Sequence, residues 1–194
     1  MKQPFLFREA KLPQSFPPPG PVGEVMIKQY PPYRLARVRA AEAGRSGSPN
    51  DMFGPLFNHI KRNDIAMTAP VEIEYAAASS TPLAGGAQSQ AQRRSASMAF
   101  VYTDPSLGRA GPDPADGRVV VEDVPALTVL SVGIRGGYTE QNLAAGLEQL
   151  EAWMAANPGR WRAVGPPRYL AYNSPFVPGF LKFGEVQLPV ERSQ

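Results

Sequence analysis

The chain has 194 residues, 43% of them hydrophobic, which suits one domain with a sizeable core. Its formal net charge of +3, from 20 basic and 17 acidic residues, is too balanced to predict a nucleic-acid partner. The lack of cysteine excludes disulfides and zinc–thiolate sites, and the single histidine, His59, excludes histidine-rich metal sites. Because no run of 18 apolar residues occurs, we expect no transmembrane segment and a cytoplasmic protein, with a periplasmic or anchored precursor left open.

The N-terminal segment is rich in proline. Such a stretch favours extended polyproline conformation and buries little apolar surface. We therefore predict a tail at residues 1–21 and a folded domain at residues 22–194. Its prolines include Pro13, Pro17, Pro18, Pro19 and Pro21.

The rest of the chain alternates between strand and helix patterns. Period-two alternation predicts strands at residues 22–30, 33–39, 69–75, 98–102, 119–124, 127–134, 168–172 and 183–190. Thr139 is a predicted N-cap for an amphipathic helix that ends near Asn157. Residues 76–97 and 104–117 are predicted loops, because they are rich in small residues, glycine and proline.

The other helix is predicted from about Pro49 to Lys61. Apolar residues at i, i+3, i+4 and i+7 predict its core stripe, which is Phe53, Leu56, Phe57 and Ile60. Three further residues share a flank beside this stripe, namely Met52, His59 and Asn63.

The two halves of the chain have a similar order of elements. Residues 25–38 and 119–132 match in their hydrophobic positions, and Pro31 matches Pro125. In both halves a helix and two further strands follow. The predicted fold class is therefore α+β, with duplicated ββαββ units forming a curved, barrel-like antiparallel sheet flanked by two helices.

Several motifs resemble the SOUL haem-binding protein family over about residues 22–190. The first is Phe53-x-x-Leu-Phe-x-x-Ile60 followed by Ile65-Ala-Met-Thr-Ala-Pro-Val71. The second is Tyr172-Asn-Ser-Pro175, followed by Gly184-Glu-Val186 in the last strand. The resemblance implies a duplicated α+β barrel that binds haem and other porphyrins on an apolar surface beside the first helix and the loop after it. On this sequence that surface carries Met52, Phe53, Phe57, Lys61, Arg62 and Met67.

Individual site residues have more than one interpretation. His59 is either a haem iron ligand or a histidine at the edge of the core. Met67 either faces the haem or fills a gap in the core. Lys61 and Arg62 either pair with porphyrin propionates or end the helix, where its dipole favours positive charge. Thr68 is expected to bond to backbone at the turn.

These observations lead to a non-enzymatic tetrapyrrole-binding protein, with haem as the cofactor and a porphyrin or other apolar small molecule as the partner. The alternative is an effector-binding or sequestration module for a cationic lipophilic molecule, in a central cavity around Glu185. Tyrosines that would line such a cavity are Tyr33, Tyr75, Tyr102, Tyr169 and Tyr172. An enzyme is disfavoured because the sequence shows no recognisable catalytic constellation.

Overall fold

The computed structural model describes residues 10–40, 49–75, 95–174 and 176–193. Two α-helices are described, α1 (Pro49–Arg62) and α2 (Glu140–Ala156), with a short 3₁₀ turn at Gly179–Leu181. The ten strands are β1 (Val25–Tyr30), β2 (Tyr33–Arg39), β3 (Val71–Tyr75), β4 (Ser95–Val101), β5 (Gly111–Asp113), β6 (Asp116–Val124), β7 (Leu127–Arg135), β8 (Trp161–Ala163), β9 (Arg168–Ala171) and β10 (Phe183–Arg192).

All ten strands belong to one antiparallel sheet. Its order is β1-β7-β10-β9-β3-β4-β2-β6-β5, and β8 pairs with the C-terminal end of β10. Because β1 and β5 lie at opposite ends of this order, the sheet is open, and the prediction of a barrel is wrong. The halves do repeat the order of two strands, a helix and two strands, with β5 and β8 added, but their origin by duplication stays a prediction.

The two helices cover one face of the sheet. Helix α1 packs on β2, β4 and β6, and α2 packs on β7 and β10. A side chain on Gly146 of α2 would collide with Val186, so glycine allows α2 to lie close to β10. Thr139 caps α2 by accepting a hydrogen bond from the Asn142 backbone N–H at 3.2 Å, which confirms the predicted start. Neither described helix is long and apolar enough to cross a membrane.

The opposite face is crossed by residues 10–22, which we call the N-terminal strap. At one end the Ala69 N–H donates to the Lys11 carbonyl at 3.0 Å, and at the other the Gly133 N–H donates to the Pro21 carbonyl at 3.2 Å. Between them the Phe16 ring packs edge-on against the Tyr30 and Tyr33 rings. Residues 10–21 are thus docked on the sheet by these contacts, and the division into a tail at residues 1–21 and a domain at residues 22–194 stays a prediction. Residues 1–9 lie outside the described part of the chain.

Most predicted elements are confirmed, with ends shifted by a few residues. Two short strands were missed: β8, and β5 inside the predicted loop at residues 104–117. Of the predicted loop at residues 76–97, positions 76–94 lie outside the described residues, and β4 begins at Ser95. The missed β5 matters for the site, because it carries Asp113.

Candidate functional site

Helix α1 is rotated relative to the predicted core stripe. The residues buried against the sheet include Met52, Leu56, His59 and Ile60. Phe53 is half-buried, and Phe57 is 43% exposed. The prediction that Phe57 belongs to the core is therefore wrong. The interior side of the helix is instead the flank that holds His59.

His59 lies in the interior because both of its ring nitrogens have partners. Nδ1 is 2.6 Å from Asp113 Oδ2, and Nε2 is 2.6 Å from the Tyr102 hydroxyl oxygen. Arg62 Nη2 also donates to Asp113 Oδ2 at 2.6 Å. Burial opposes ionisation of Asp113, but hydrogen bonds from His59 and Arg62 outweigh it and lower the pKa of Asp113. Burial raises the pKa of Tyr102 to about 12.

These contacts fasten α1 to β5 and to the end of β4. With both nitrogens occupied by protein groups, His59 has no free position for iron in this structure. Nor do the described residues contain a cluster of three His, Asp or Glu side chains that could hold a metal ion.

The outer side of α1 carries exposed apolar and basic groups. We call Phe53, Phe57, Lys61, Arg62 and Met67 the α1 surface. The Phe53 and Phe57 rings are nearly parallel, with centroids 6.0 Å apart. Phe57 and Met67 are 43% and 38% exposed, and Lys61 is also exposed. A concentration of exposed apolar side chains beside cations is typical of a binding surface.

The turn after α1 is held by its own hydrogen bonds. Asp64 has a positive φ of 51°, and the Ile65 N–H donates to the Ile60 carbonyl at 2.9 Å, a Schellman-type helix end. The Thr68 hydroxyl donates to the Val101 carbonyl at 2.5 Å, as its expected structural role requires. Met67 is therefore presented on a fixed turn.

The strap-covered face carries a connected row of polar side chains, which we call the polar chain. Glu72 Oε2 lies 2.7 Å from Arg168 Nη1, and Glu72 Oε1 lies 3.0 Å from Arg37 Nη2. Arg168 also donates to Gln187 Oε1, at 3.1 Å from Nε and 2.9 Å from Nη2. The Gln187 amide donates to Glu185 Oε2 at 3.1 Å. The members come from several neighbouring strands and are Arg37, Glu72, Arg168, Gln187, Glu185 and Lys28.

Charge in the polar chain is compensated locally. Burial of Glu72 opposes its ionisation, yet Arg168 and Arg37 outweigh burial and hold the pKa of Glu72 below its usual value. Burial raises the pKa of Tyr33. The carboxylate of Glu72 adds to this rise, and the guanidinium of Arg168 opposes it. Glu72 is only 2% exposed, so β3 directs this carboxylate into the interior.

Glu185 is 0% exposed, and each of its two carboxylate oxygens accepts two hydrogen bonds. Oε1 accepts from Lys28 Nζ and from the Gly20 backbone N–H, each at 2.5 Å. Oε2 accepts from the Tyr172 hydroxyl at 3.0 Å, as well as from the Gln187 amide. The cation at this carboxylate is therefore supplied by the chain itself.

A separate groove of about 540 Å³ lies on the helix-covered face near edge strand β1. Its lining includes Ile27, Gln29, Thr128, Trp161 and Arg192. The Arg192 guanidinium lies over the Trp161 ring, 5.6 Å from its centroid. None of the residues of the α1 surface lines this groove.

The structure brings together only part of the predicted haem site. Phe53, Phe57, Lys61, Arg62 and Met67 are at the outer side of α1 or its following turn, whereas Met52 and His59 point into the core. Of the five predicted cavity tyrosines, Tyr33 and Tyr172 belong to the strap-covered face, and Tyr75, Tyr102 and Tyr169 pack in the core under the helices.

Sequence reasoning missed Asp113, Lys28, Arg168 and the strap. A signal existed for Lys28 and Arg168: each lies two positions from an apolar residue of its strand, which places the charge on the same side as side chains that face inward. Asp113 gave no such signal, because its surroundings contain proline and glycine and resemble a loop.

The fold and these surfaces define an α+β domain with an open sheet, two helices on one face and a strap on the other. The chain belongs to the SOUL heme-binding protein family, whose model matches residues 22–189. The strap lies almost entirely before the matched region. A search of curated proteins found no match.

Solved structures share the fold at low sequence identity. The EcmrR chain of a complex with DNA is 16% identical with a TM-score of 0.61; the match covers 87% of this chain and 57% of that one. An uncharacterized conserved protein from Listeria innocua is 12% identical with a TM-score of 0.60, covering 88% and 94%. A hydrolase from Listeria innocua is 11% identical with a TM-score of 0.59, covering 89% and 94%. At these identities the likeness shows the fold alone, and this chain spans just over half of the EcmrR chain.

Proposed function

We propose that this protein binds haem or a related tetrapyrrole on the α1 surface, without catalysing a reaction. Family membership supports the ligand class. The observation that carries the location is the exposed ring of Phe57, stacked on the half-buried ring of Phe53, on a helix that also carries the exposed Lys61 and is followed by the exposed Met67. A flat apolar ring system covers such a surface, and its propionates pair with cations at its rim.

The residues fit a porphyrin held by contact and charge. Phe57 and Met67 supply exposed apolar area, and Lys61 supplies an exposed ammonium group. Arg62 is 41% exposed and shares Asp113, so it contributes a partly compensated charge. His59 is not part of this proposal, because both of its nitrogens bind protein groups. The tetrapyrrole's iron, when present, supplies ligand-exchange and redox chemistry, while the chain provides apolar contact and propionate pairing.

The alternative of a cationic ligand at Glu185 is less well supported. Lys28 already neutralises this carboxylate, and the strap closes the cleft above it. A cationic ligand would have to displace both the ammonium group and the strap, and it would leave Lys28 without its partner. No observation in the described residues favours that exchange.

A haemin titration followed by the Soret band tests the proposal. The wild-type chain is expected to give a saturable one-to-one shift at micromolar protein. Phe57→Ser removes exposed apolar area and is expected to weaken binding about tenfold. Val164→Ser is the matched control, because Val164 is a similarly exposed apolar residue that lines the groove. Its haemin affinity should equal that of the wild type.

Charge pairing has its own variant and control. Lys61→Glu should weaken haemin binding severalfold at low salt and much less at high salt. Arg160→Glu makes the same change of charge at an exposed position beyond α2 and should have little effect. No saturable Soret shift in the wild type would reject haem binding. A loss in Val164→Ser with none in Phe57→Ser would move the ligand to the groove and reject the α1 surface.

A further inference from the structure

The strap is bound to the sheet through its own backbone. The Gln14 N–H donates to the Thr103 carbonyl at 2.9 Å, and the Pro18 carbonyl accepts from Lys28 Nζ at 2.8 Å. The Gly20 N–H donates to Glu185, and the Lys11 and Pro21 carbonyls accept from Ala69 and Gly133. In each of these contacts the strap contributes a main-chain group, which is how extended peptides are recognised.

Side chains of the strap add apolar anchors between these hydrogen bonds. The Phe16 ring centroid lies 4.9 Å from that of Tyr30 and 5.1 Å from that of Tyr33, both in edge-on geometry. Pro13 and Pro19 are buried, whereas Pro18 is exposed. Grooves lined by aromatic residues are a known mode of proline-rich peptide recognition, and here Tyr30 and Tyr33 form such a lining beneath Phe16.

Two glycines make the close approach possible. A Cβ atom on Gly133 would lie 2.4 Å from the Pro21 carbonyl oxygen, an overlap with backbone that forces the strap to move. A Cβ atom on Gly20 would lie 3.2 Å from Glu185 Oε1 and 3.3 Å from Met26 Sδ. The sheet and the strap therefore approach each other closely at both glycines, one on β7 and one in the strap.

The groups that the strap satisfies are too widely spaced for one small molecule. They extend from Gly133 on β7 to Thr103 just after β4, four strands further along the sheet order. At about 4.8 Å per strand this is roughly 19 Å, with hydrogen-bonding groups at both ends. A peptide satisfies such a row, because it carries a donor and an acceptor at every residue other than proline.

We propose that the cleft beneath the strap is a peptide-binding site, occupied in this chain by its own residues 10–22. Its partner is a proline-rich segment of another polypeptide, with an aromatic residue followed by prolines and then by glycine, as in Phe16-Pro-Pro-Pro-Gly20. The strap competes with that partner from within the chain. This site adjoins the α1 surface only at the turn after α1, where Lys11 of the strap bonds to Ala69, and the proposal does not depend on tetrapyrrole binding.

The binding experiment uses the full chain and a labelled peptide of residues 12–23, followed by fluorescence anisotropy. Phe16→Asp in the chain puts a carboxylate against two tyrosines near Glu185 and should release the strap while leaving the cleft intact. The peptide should bind this variant at least about tenfold more tightly than it binds the wild type, because the tethered strap acts at roughly millimolar effective concentration. A peptide with Pro19→Ala or Gly20→Ala should bind more weakly, whereas Pro18→Ala should bind unchanged.

Two further measurements keep the test decisive. Hydrogen exchange of the Ala69 amide reports whether the strap is open, and thermal melting reports whether the variant is folded. Adding Gly133→Ala to the Phe16→Asp chain should abolish peptide binding, because the new methyl group occupies the place of the peptide's carbonyl. If Phe16→Asp does not fold, excess peptide added to the wild type should instead speed trypsin cleavage after Lys11.

Three results would overturn the proposal. One is an open strap, shown by fast exchange at Ala69, with no saturable peptide binding. Another is peptide binding that Gly133→Ala leaves unchanged. The last is a dimer at micromolar concentration that excess peptide does not dissociate, since this would assign the cleft to the strap of a second copy.

Discussion

The two faces of the sheet are covered in different ways. On one face, two helices bury a continuous apolar core that includes Leu56, Leu147 and Val186. On the other, the N-terminal strap lies over tyrosines and contacts the Lys28–Glu185 end of the polar chain. The apolar face gains stability from close packing, which tolerates many arrangements of similar volume. The polar face requires each charge to meet its partner, so it specifies one arrangement of strands and strap.

The largest effect is expected on the strap-covered face. Glu72→Ala leaves Arg168 buried without its carboxylate and should lower the free energy of unfolding by about 3–5 kcal/mol. Glu74→Ala is the matched control on the same strand: its side chain is 29% exposed, and Arg37 keeps Glu72 and Glu122 as partners. Urea denaturation of both variants measures the difference. Equal losses would mean that the polar chain is no more constrained than the surface.

On the helix-covered face, two neighbouring residues of α1 should differ in how much their loss lowers the free energy of unfolding. Leu56→Ala removes a fully buried side chain and should cost about 3 kcal/mol of unfolding free energy. Phe57→Ala, one position further, removes an exposed ring and should cost less than about 1 kcal/mol. Thermal or urea unfolding compares the two. Similar losses in both variants would show that Leu56 and Phe57 both belong to the core stripe, as the sequence pattern predicted.

A smaller loss is expected for His59→Ala. The change leaves the Tyr102 hydroxyl without its partner and removes one bond to Asp113, at a cost of about 2 kcal/mol. Haemin affinity should not change, because the imidazole has no part in the proposed surface. A Soret band that is lost in this variant, with the protein still folded, would restore His59 as the iron ligand.

The smallest expected effect is on the pH dependence of stability. Because the pKa of Glu72 is lowered in the folded state, its contribution is present above the ordinary value near 4.5 and is lost as the pH falls through the folded pKa. The free energy of unfolding should therefore decline with acid below about pH 5, and less steeply in Glu72→Gln than in Glu74→Gln. Denaturation midpoints at several acidic pH values give both slopes. Identical slopes would contradict the assignment.

Local pattern predicted the strands and both helices, since alternation and caps depend on neighbouring residues. It did not predict the rotation of α1. Both sides of that helix carry apolar residues, and the choice between them depends on Asp113, which is distant in sequence and lies in an apparent loop. The docking of the strap was not predicted for a similar reason. Prolines indicate extended backbone, but whether that backbone docks depends on Gly133 and on Tyr30 and Tyr33 in the sheet.

The candidate site was predictable to about the same degree. The motif at residues 65–71 indicated the family, whose model matches the chain. Phe57, Lys61 and Met67 are exposed, as residues of a ligand-binding surface must be. Met52 and His59 could not be excluded from sequence, because only tertiary contacts decide which side of a helix faces solvent.

An open sheet leaves two edges on which other chains could stack, which is a common route to aggregation. At one edge β5 is only three residues long and contains Pro112, which cannot donate to a neighbouring strand. At the other, β1 carries Lys28, whose ammonium group points inward to Glu185. An inward-pointing charge discourages foreign pairing, since a strand displaced from its register would carry that charge away from its carboxylate. The same ion pair that anchors the polar chain therefore also helps to keep the protein from aggregating.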